Sequence, residues 1–340
     1  MRDFQNSKIL FKVSGSFEIG LGHVRRSLSL TQELIRFVGP DNIFLFSRSD
    51  IRSLLQVSSY PFVFRFEKND DLINCIKKEG VEIVIFDEVA DNLETSKNIK
   101  QAFPKVIIIG LDYFNYHNPC IDIIIDLFNQ NSDVIYPQDE FHGQYYEGLA
   151  YAIIRESFIP YQKRRKVVRP IVEDILITFG GADHNNHTLK VLIMLEAIGY
   201  KGKVNIILGP FFQHKRDICE YINRVGYQAF VHNTIDNMEE FIFEADLGFI
   251  GAGTTMMEFC HLGTPAVVIP QNQKEYQFAQ SLKKQKAVHI LEDTHNSLIF
   301  DILFNEKTRQ ETSRIAQSLV DGKGKERIRD IILGSHLCQK

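Results

Sequence analysis

The chain has 340 residues, enough for two medium-sized domains that each bury a core. Hydrophobic residues make up 44% of it and charged residues 24%, an ordinary balance for a globular chain, and the formal charge of −4 argues against a general nucleic-acid binder. No apolar run approaches the roughly 20 residues that cross a bilayer, and "MRDFQNSKILFKV" lacks a signal-peptide apolar region. Cys75, Cys120, Cys219, Cys260 and Cys338 are odd in number, scattered and without metal-ligand spacing, the usage expected of buried thiols in a reducing cytoplasm.

In chain order, short apolar runs alternate with helix-patterned stretches. Strands are expected at "KILFKV" (8–13), "NIFLF" (42–46), "FVFRF" (62–66), "EIVIFD" (82–87), "KVIIIG" (105–110) and "IDIIID" (121–126). A second series follows at "DILITFGG" (174–181), "KVNIILG" (203–209), "QAFVH" (228–232), "DLGFIG" (246–251), "PAVVIP" (265–270) and "AVHIL" (287–291). Continuous Ile, Val and Phe runs, in place of strict alternation, read as strands buried on both faces of parallel sheets. "VRRSLSLTQELIRFV" and "HTLKVLIMLEAIG" carry helical spacing. The expected fold is α/β, with two Rossmann-like domains whose parallel sheets face a cleft. Their expected bounds are 1–160 and 170–310, joined near "IPYQKRRKVVRPIVED" (159–174), a basic stretch read as a solvated linker. Residues 311–340 are expected to form C-terminal helices broken at Gly322–Gly324. A cleft between two such domains suits a nucleotide-linked substrate.

Three glycine-bearing turns follow expected strands. In "SGSFEIGLGHVRRSLSL" (14–30), Gly20 and Gly22 precede His23 at the start of a helix. Glycine lets a ligand approach the main chain, free N–H groups at a helix start favour an anion, and a histidine there can accept a proton near neutral pH. His23 is therefore the candidate catalytic base, with helix capping as the alternative. Arg25 stands where a dinucleotide fingerprint wants its third glycine, and no phosphate-loop Gly-Lys-Ser/Thr is present. In "LITFGGADHNNHTLKVL" (176–192), Gly180 and Gly181 read as backbone approaching a diphosphate. Asp183 is a second candidate contact there, although it, Asn185 and Asn186 also fit helix capping. In "LGFIGAGTTMMEFCHLGTPAVVIPQNQKEYQFAQSL" (247–282), Gly251, Gly253, Thr254 and Thr255 form a donor-rich helix opening suited to phosphate oxygens. Glu258 lies one turn further on, placed to accept from sugar hydroxyls, and Asn272 and Gln273 offer donors and acceptors after the next strand. Met256, Met257, Cys260 and His261 read as packing.

These stretches, with "YYEGLAYAIIRESF" (145–158), resemble the PseG/SpsG-type nucleotide-sugar hydrolases, whose best-known member is the UDP-sugar hydrolase of pseudaminic acid biosynthesis. The more distant resemblance is to glycosyltransferases of the two-Rossmann GT-B architecture. The resemblance spans about residues 8 to 290. It implies that water attacks the anomeric carbon of a UDP-linked amino sugar, with His23 as base and Asp87, Glu258, Asn272 and Gln273 around the substrate. It implies no cofactor and no metal. The expected partner is this small-molecule UDP-sugar, with no nucleic acid and no membrane span; oligomeric state is left open. Where that family carries Arg-x-Asp before the first glycine turn, this chain has Lys12 and Ser14. Val89 replaces a tyrosine beyond Asp87, and of a paired aspartate in the next loop only Asp112 is kept. The nucleotide-side motifs are thus better kept than the sugar-side ones. Three readings stay open: a hydrolase, a glycosyltransferase whose histidine activates an acceptor hydroxyl, and a non-catalytic sugar-nucleotide-binding subunit.

Overall fold

A computed structural model describes residues 6–14, 22–47, 63–65, 69–88, 92–112, 117–127, 141, 143–233, 235–291, 302 and 305–335. The chain divides into two compact units, Met1–Ile153 with Lys323–Lys340, and Ile154–Gly322.

The first unit is built on seven parallel strands: β1 (Ile9–Val13), β2 (Ile43–Ser47), β3 (Val63–Arg65), β4 (Ile83–Asp87), β5 (Ile107–Leu111), β6 (Ile123–Asp126) and β7 (Gln144–Glu147). Their order is β3-β2-β1-β4-β5-β6-β7, so the sheet reverses its direction of growth between β1 and β4. Every residue of β1, β2, β4, β5 and β6 is buried, as strands covered on both faces must be. One face stacks Ile9, Phe11, Val13, Ile83 and Ile85 against Val24, Leu30 and Leu34 of α1 (Gly22–Val38). The other stacks Leu10, Phe44, Phe46, Val84 and Phe86 against Leu72 and Ile76 of α2 (Asn69–Glu79) and Ile99 of α3 (Leu93–Ala102). That alternation sends the side chain of Asp87 to the α1 face and that of Lys12 to the opposite one.

The second unit repeats the topology with six parallel strands: β8 (Asp174–Thr178), β9 (Lys203–Leu208), β10 (Gln228–Asn233), β11 (Leu247–Ile250), β12 (Ala266–Val268) and β13 (His289–Ile290). Their order is β10-β9-β8-β11-β12-β13, with the reversal between β8 and β11. Its helices among the described residues include α4 (Ile159–Gln162), α5 (His187–Ala197), α6 (Lys215–Ile222), α7 (Met238–Glu244), α8 (Thr254–Leu262), α9 (Gln273–Lys284) and α10 (Glu306–Leu319). Ile175, Ile177, Val204, Ile206, Leu247 and Phe249 of the sheet pack with Val191 and Leu195 of α5.

All twelve strands read from the sequence form. β7, which closes the edge of the first sheet, carries no apolar run because both its ends are exposed. The segment read as a solvated linker is strapped to the second unit. Lys166 donates to the carbonyls of Phe243 and Ala245, Arg169 pairs with Asp246 at 3.1 Å, and buried Arg309 donates to the carbonyls of Arg169 and Pro170 at 2.8 Å. Burial pulls the Lys166 ammonium down to about 8. The two C-terminal helices part company: α10 packs on α8, while α11 (Gly324–Ser335) packs on α1 of the first unit. Among the described residues no helix is long and apolar enough to cross a membrane.

Candidate active site

In open parallel α/β sheets ligands gather at the carboxyl ends of the strands, where the strand order reverses. In the first unit that place is the end of β1 and β4, where Val13 and Asp87 are register partners. Gly22 and His23 open α1, and a side chain at position 22 would meet nothing within 4 Å. Gly20 and Val89, named from the sequence, lie outside the described residues.

His23 Nδ1 lies 2.7 Å from Oδ1 of Asp87, a carboxylate with 0% exposure. Asp87 also accepts from Ser27 Oγ at 2.5 Å and from Arg26 Nε at 3.0 and 3.1 Å, while Arg26 Nη2 reaches the same Oδ1. The other arm of the guanidinium, Nη1, pairs with Asp112 Oδ2. Asp112 follows β5 in the left-handed region (φ 51°), and its Oδ1 accepts the Leu127 amide at 2.7 Å. Burial alone would raise the Asp87 carboxyl, but Arg26 and the hydrogen-bonded His23 outweigh it and hold it well below the usual carboxylate range. Burial opposes the Arg26 charge as well, and Asp112 and Asp87 more than offset it. Nδ1 also lies 2.9 Å from Arg26 Nη2; when Nδ1 carries its proton toward the ionised carboxylate, Nε2 is the nitrogen with a lone pair, the arrangement a general base needs.

Lys12 belongs to a separate cluster on the opposite face. Its ammonium pairs with buried Glu88, donates to Asn92 Oδ1 at 2.8 Å and stands 5.5 Å from the centre of the Phe86 ring. A cation at position 12 therefore ties β1 to the loop leading into α3, away from the imidazole.

In the second unit Gly180 turns at φ 75°, and the carbonyls of Gly180 and Gly181 back onto Gly209, where any Cβ would overlap them. Asp183 is placed as a helix cap. It is 4% exposed and accepts from the amides of His187 and Thr188, at 2.8 and 2.9 Å, and from Thr188 Oγ1 at 2.7 Å. Asn186 is the N-cap residue of the same helix.

At the reversal of this sheet α8 starts with Gly253 as its N-cap, a residue with no side chain to cap the first amides. Half-buried Thr254 and Thr255 form its first turn, and a Cβ at Gly253 would meet open space. An uncapped helix start with room in front of it favours an anion. Glu258 stands one turn below Thr254, 7% exposed, and pairs with Arg155 Nε at 2.7 Å. Arg155 lies over the Phe158 ring at 4.6 Å; burial opposes its charge and Glu258 more than restores it. Asn272 caps α9 by accepting the Glu275 amide at 2.9 Å, and Gln273 is exposed beside it. Glu275 in return accepts from the amides of Ala252 at 3.2 Å and Gln271 at 2.9 Å, binding the Gly251–Gly253 turn to the Asn272 turn. Met256, Met257, Cys260 and His261 are buried, as packing residues are.

The first unit thus brings His23 and Asp87 together. The second gathers Gly251, Gly253, Thr254, Thr255 and Glu258 on one turn and helix, with Asn272 and Gln273 on the turn that Glu275 ties to it. Arg26, Ser27, Arg155 and Glu275 were not picked out from the sequence. His-x-x-Arg spacing on one helix was a signal for Arg26, and the Asn-x-x-Glu capping pattern at 272–275 for Glu275; Arg155 had no local signal.

The Glycosyltransferase family 28 C-terminal domain matches residues 175–327, from the second residue of β8 into α11. Protein MJ1062 of Methanocaldococcus jannaschii is 30% identical over 295 residues, 83% of this chain and 60% of that protein, so the chain spans less than two thirds of it. The spore coat polysaccharide biosynthesis protein SpsG of Bacillus subtilis is 22% identical over 334 residues, 94% of this chain and 95% of that one. The UDP-2,4-diacetamido-2,4,6-trideoxy-beta-L-altropyranose hydrolase of Campylobacter jejuni is 27% identical over 187 residues, 54% of this chain and 64% of that one. Among solved structures, Acinetobacter baumannii MurG superposes with a TM-score of 0.70 at 13% identity, over 96% of this chain and 99% of that one. Phytolacca americana UGT2, solved with UDP-2fluoro-glucose and pterostilbene, gives 0.66 at 10% identity, over 97% and 100%. The fold is that of the GT-B glycosyltransferases.

Proposed function

We propose that this chain is a nucleotide-sugar hydrolase acting on a UDP-linked amino sugar in surface-glycan biosynthesis. The observation that carries this reading is the buried, ionised Asp87 on Nδ1 of His23. It leaves Nε2 to take a proton from water as the water oxygen bonds to the anomeric carbon and the bond from that carbon to the diphosphate oxygen breaks. Asp87 then faces the charge that appears on the imidazole. UDP is already a good leaving group, and in this reading the uncapped start of α8 and the Arg155 guanidinium stabilise its growing charge without further help. Glu258 accepts from the ribose hydroxyls. The likeness to SpsG and to the Campylobacter jejuni hydrolase supports the substrate class.

A second reading, a glycosyltransferase in which His23 deprotonates an acceptor hydroxyl, is favoured by the family 28 match and by Lys12 and Ser14 standing where the hydrolases carry Arg-x-Asp. Incubation with a panel of UDP-linked amino sugars and no acceptor, with UDP and free sugar followed by mass spectrometry, separates the two. The hydrolase releases both without acceptor; release only after a hydroxyl acceptor is added supports the transferase; failure to bind UDP at all overturns both.

A further inference from the structure

His23 Nδ1 faces two groups of opposite hydrogen-bonding character. Asp87 Oδ1 at 2.7 Å can only accept, and Arg26 Nη2 at 2.9 Å can only donate. If Nδ1–H donates to Asp87, Nε2 is left with the lone pair. If Nδ1 accepts from Arg26, the proton sits on Nε2 and the imidazole cannot serve as a base from that side. What the guanidinium does with Nη2 therefore decides whether the site works.

We propose that Arg26, anchored by Asp112, is the positioning residue that fixes the base-competent tautomer of His23. The inference rests on the reading of His23 as the base. Asp112 takes Nη1, and Nε binds both oxygens of Asp87 at 3.0 and 3.1 Å, so the planar fork is pinned at two points. With the plane fixed, Nη2 lies within reach of both Asp87 Oδ1 and Nδ1, and the carboxylate is the charged acceptor that holds it. Asp112 is itself held, by the Leu127 amide on Oδ1 and by its own amide on the Ile125 carbonyl at 2.9 Å. Its left-handed backbone turns the carboxylate towards α1 from the end of β5. The ends of β4, β5 and β6 thereby act on one nitrogen through a single guanidinium. The charges fit the same role: one guanidinium against two buried carboxylates leaves one negative charge, which a proton arriving at His23 cancels.

The test is side-chain 15N NMR of His23 in the full-length protein, beside steady-state kinetics. Wild type shows one tautomer with the proton on Nδ1. In Asp112→Asn a population with the proton on Nε2 appears; KM is unchanged and kcat falls in proportion, about tenfold when nine tenths of the histidine has converted. A single unchanged tautomer with unchanged kcat, and only a lower Tm, overturns the proposal and leaves Arg26 as a structural brace. Should Asp112→Asn fail to fold, Arg26→Lys keeps the charge without the fork; a single Nδ1–H tautomer in that variant likewise overturns the proposal. Because the tautomer is read without turnover, a shift in Asp112→Asn together with full activity of His23→Ala would keep the positioning claim and sink the catalytic one.

Discussion

The two sheet reversals share one topology and carry opposite chemistry. At the ends of β1, β4 and β5 the chain buries an ionic cluster of Arg26, Asp87 and Asp112 beside a largely buried histidine. At the ends of β8 and β11 it places glycines, threonines and an uncapped helix start, with one ion pair, Arg155–Glu258, below them. In the proposed reading the first arrangement holds a proton acceptor in one orientation, and the second offers the backbone donors of a helix start to a ligand. A repeated fold thus supplies two chemically distinct sites, and the difference lies in the few residues that follow equivalent strands.

Breaking the first site should have the largest effect. His23→Ala should lower kcat by about 10² to 10⁴-fold, the usual worth of a positioned base, measured as UDP release. Breaking the second should act on binding instead. Glu258→Gln leaves Arg155 without its ionic partner and should raise KM for the UDP-sugar roughly ten- to hundredfold with a smaller change in kcat, read from steady-state kinetics. Gly248→Ala, beneath that site in β11, drives a methyl into the Phe259 ring and should cost about 1–3 kcal/mol, measured by denaturant unfolding.

The smallest effect sharpens the comparison on the stability side. Burial, with a lesser contribution from Lys283, pulls His289 down to about 4, while its Nε2 meets Thr312 Oγ1 at 2.9 Å. The unfolded chain takes up this proton near pH 6.5 and the folded chain only near 4, so stability falls as pH drops between those values. His289→Gln should flatten that fall in pH-dependent thermal unfolding, and an unchanged slope would remove His289 from the account. Asp87 acts lower on the scale. Its folded carboxyl is depressed, so its contribution is complete above the ordinary aspartate value of about 4 and is lost as pH falls below it.

Much of the scaffold was legible because most of its central strands are buried on both faces and show as apolar runs, while exposed β10 still carries a short Ala-Phe-Val run. β7 escaped because Gln144–Glu147 lies at an edge with polar residues turned outward. Of the site, the glycine turns and His23 were readable from residue type and position after a strand. Arg26 was missed, since Arg25 and Arg26 are adjacent in one helix and only the three-residue spacing from His23 tells which turns inward: Arg25 is exposed and Arg26 buried. Asp183 illustrates the converse. Its residue type fits a ligand contact or a cap equally well, and the hydrogen bonds to the first turn of α5 supply what the sequence leaves open. Lys12, read beside the sugar by resemblance, shows how strand alternation alone moves a residue to the other side of a sheet.

The most direct test of the division of labour is a UDP binding isotherm taken beside turnover for His23→Ala and Glu258→Gln. The account predicts that His23→Ala binds UDP as wild type does while losing turnover, and that Glu258→Gln binds UDP more weakly while retaining most of its kcat. Near-normal turnover in His23→Ala, or unchanged UDP affinity in Glu258→Gln, would contradict it.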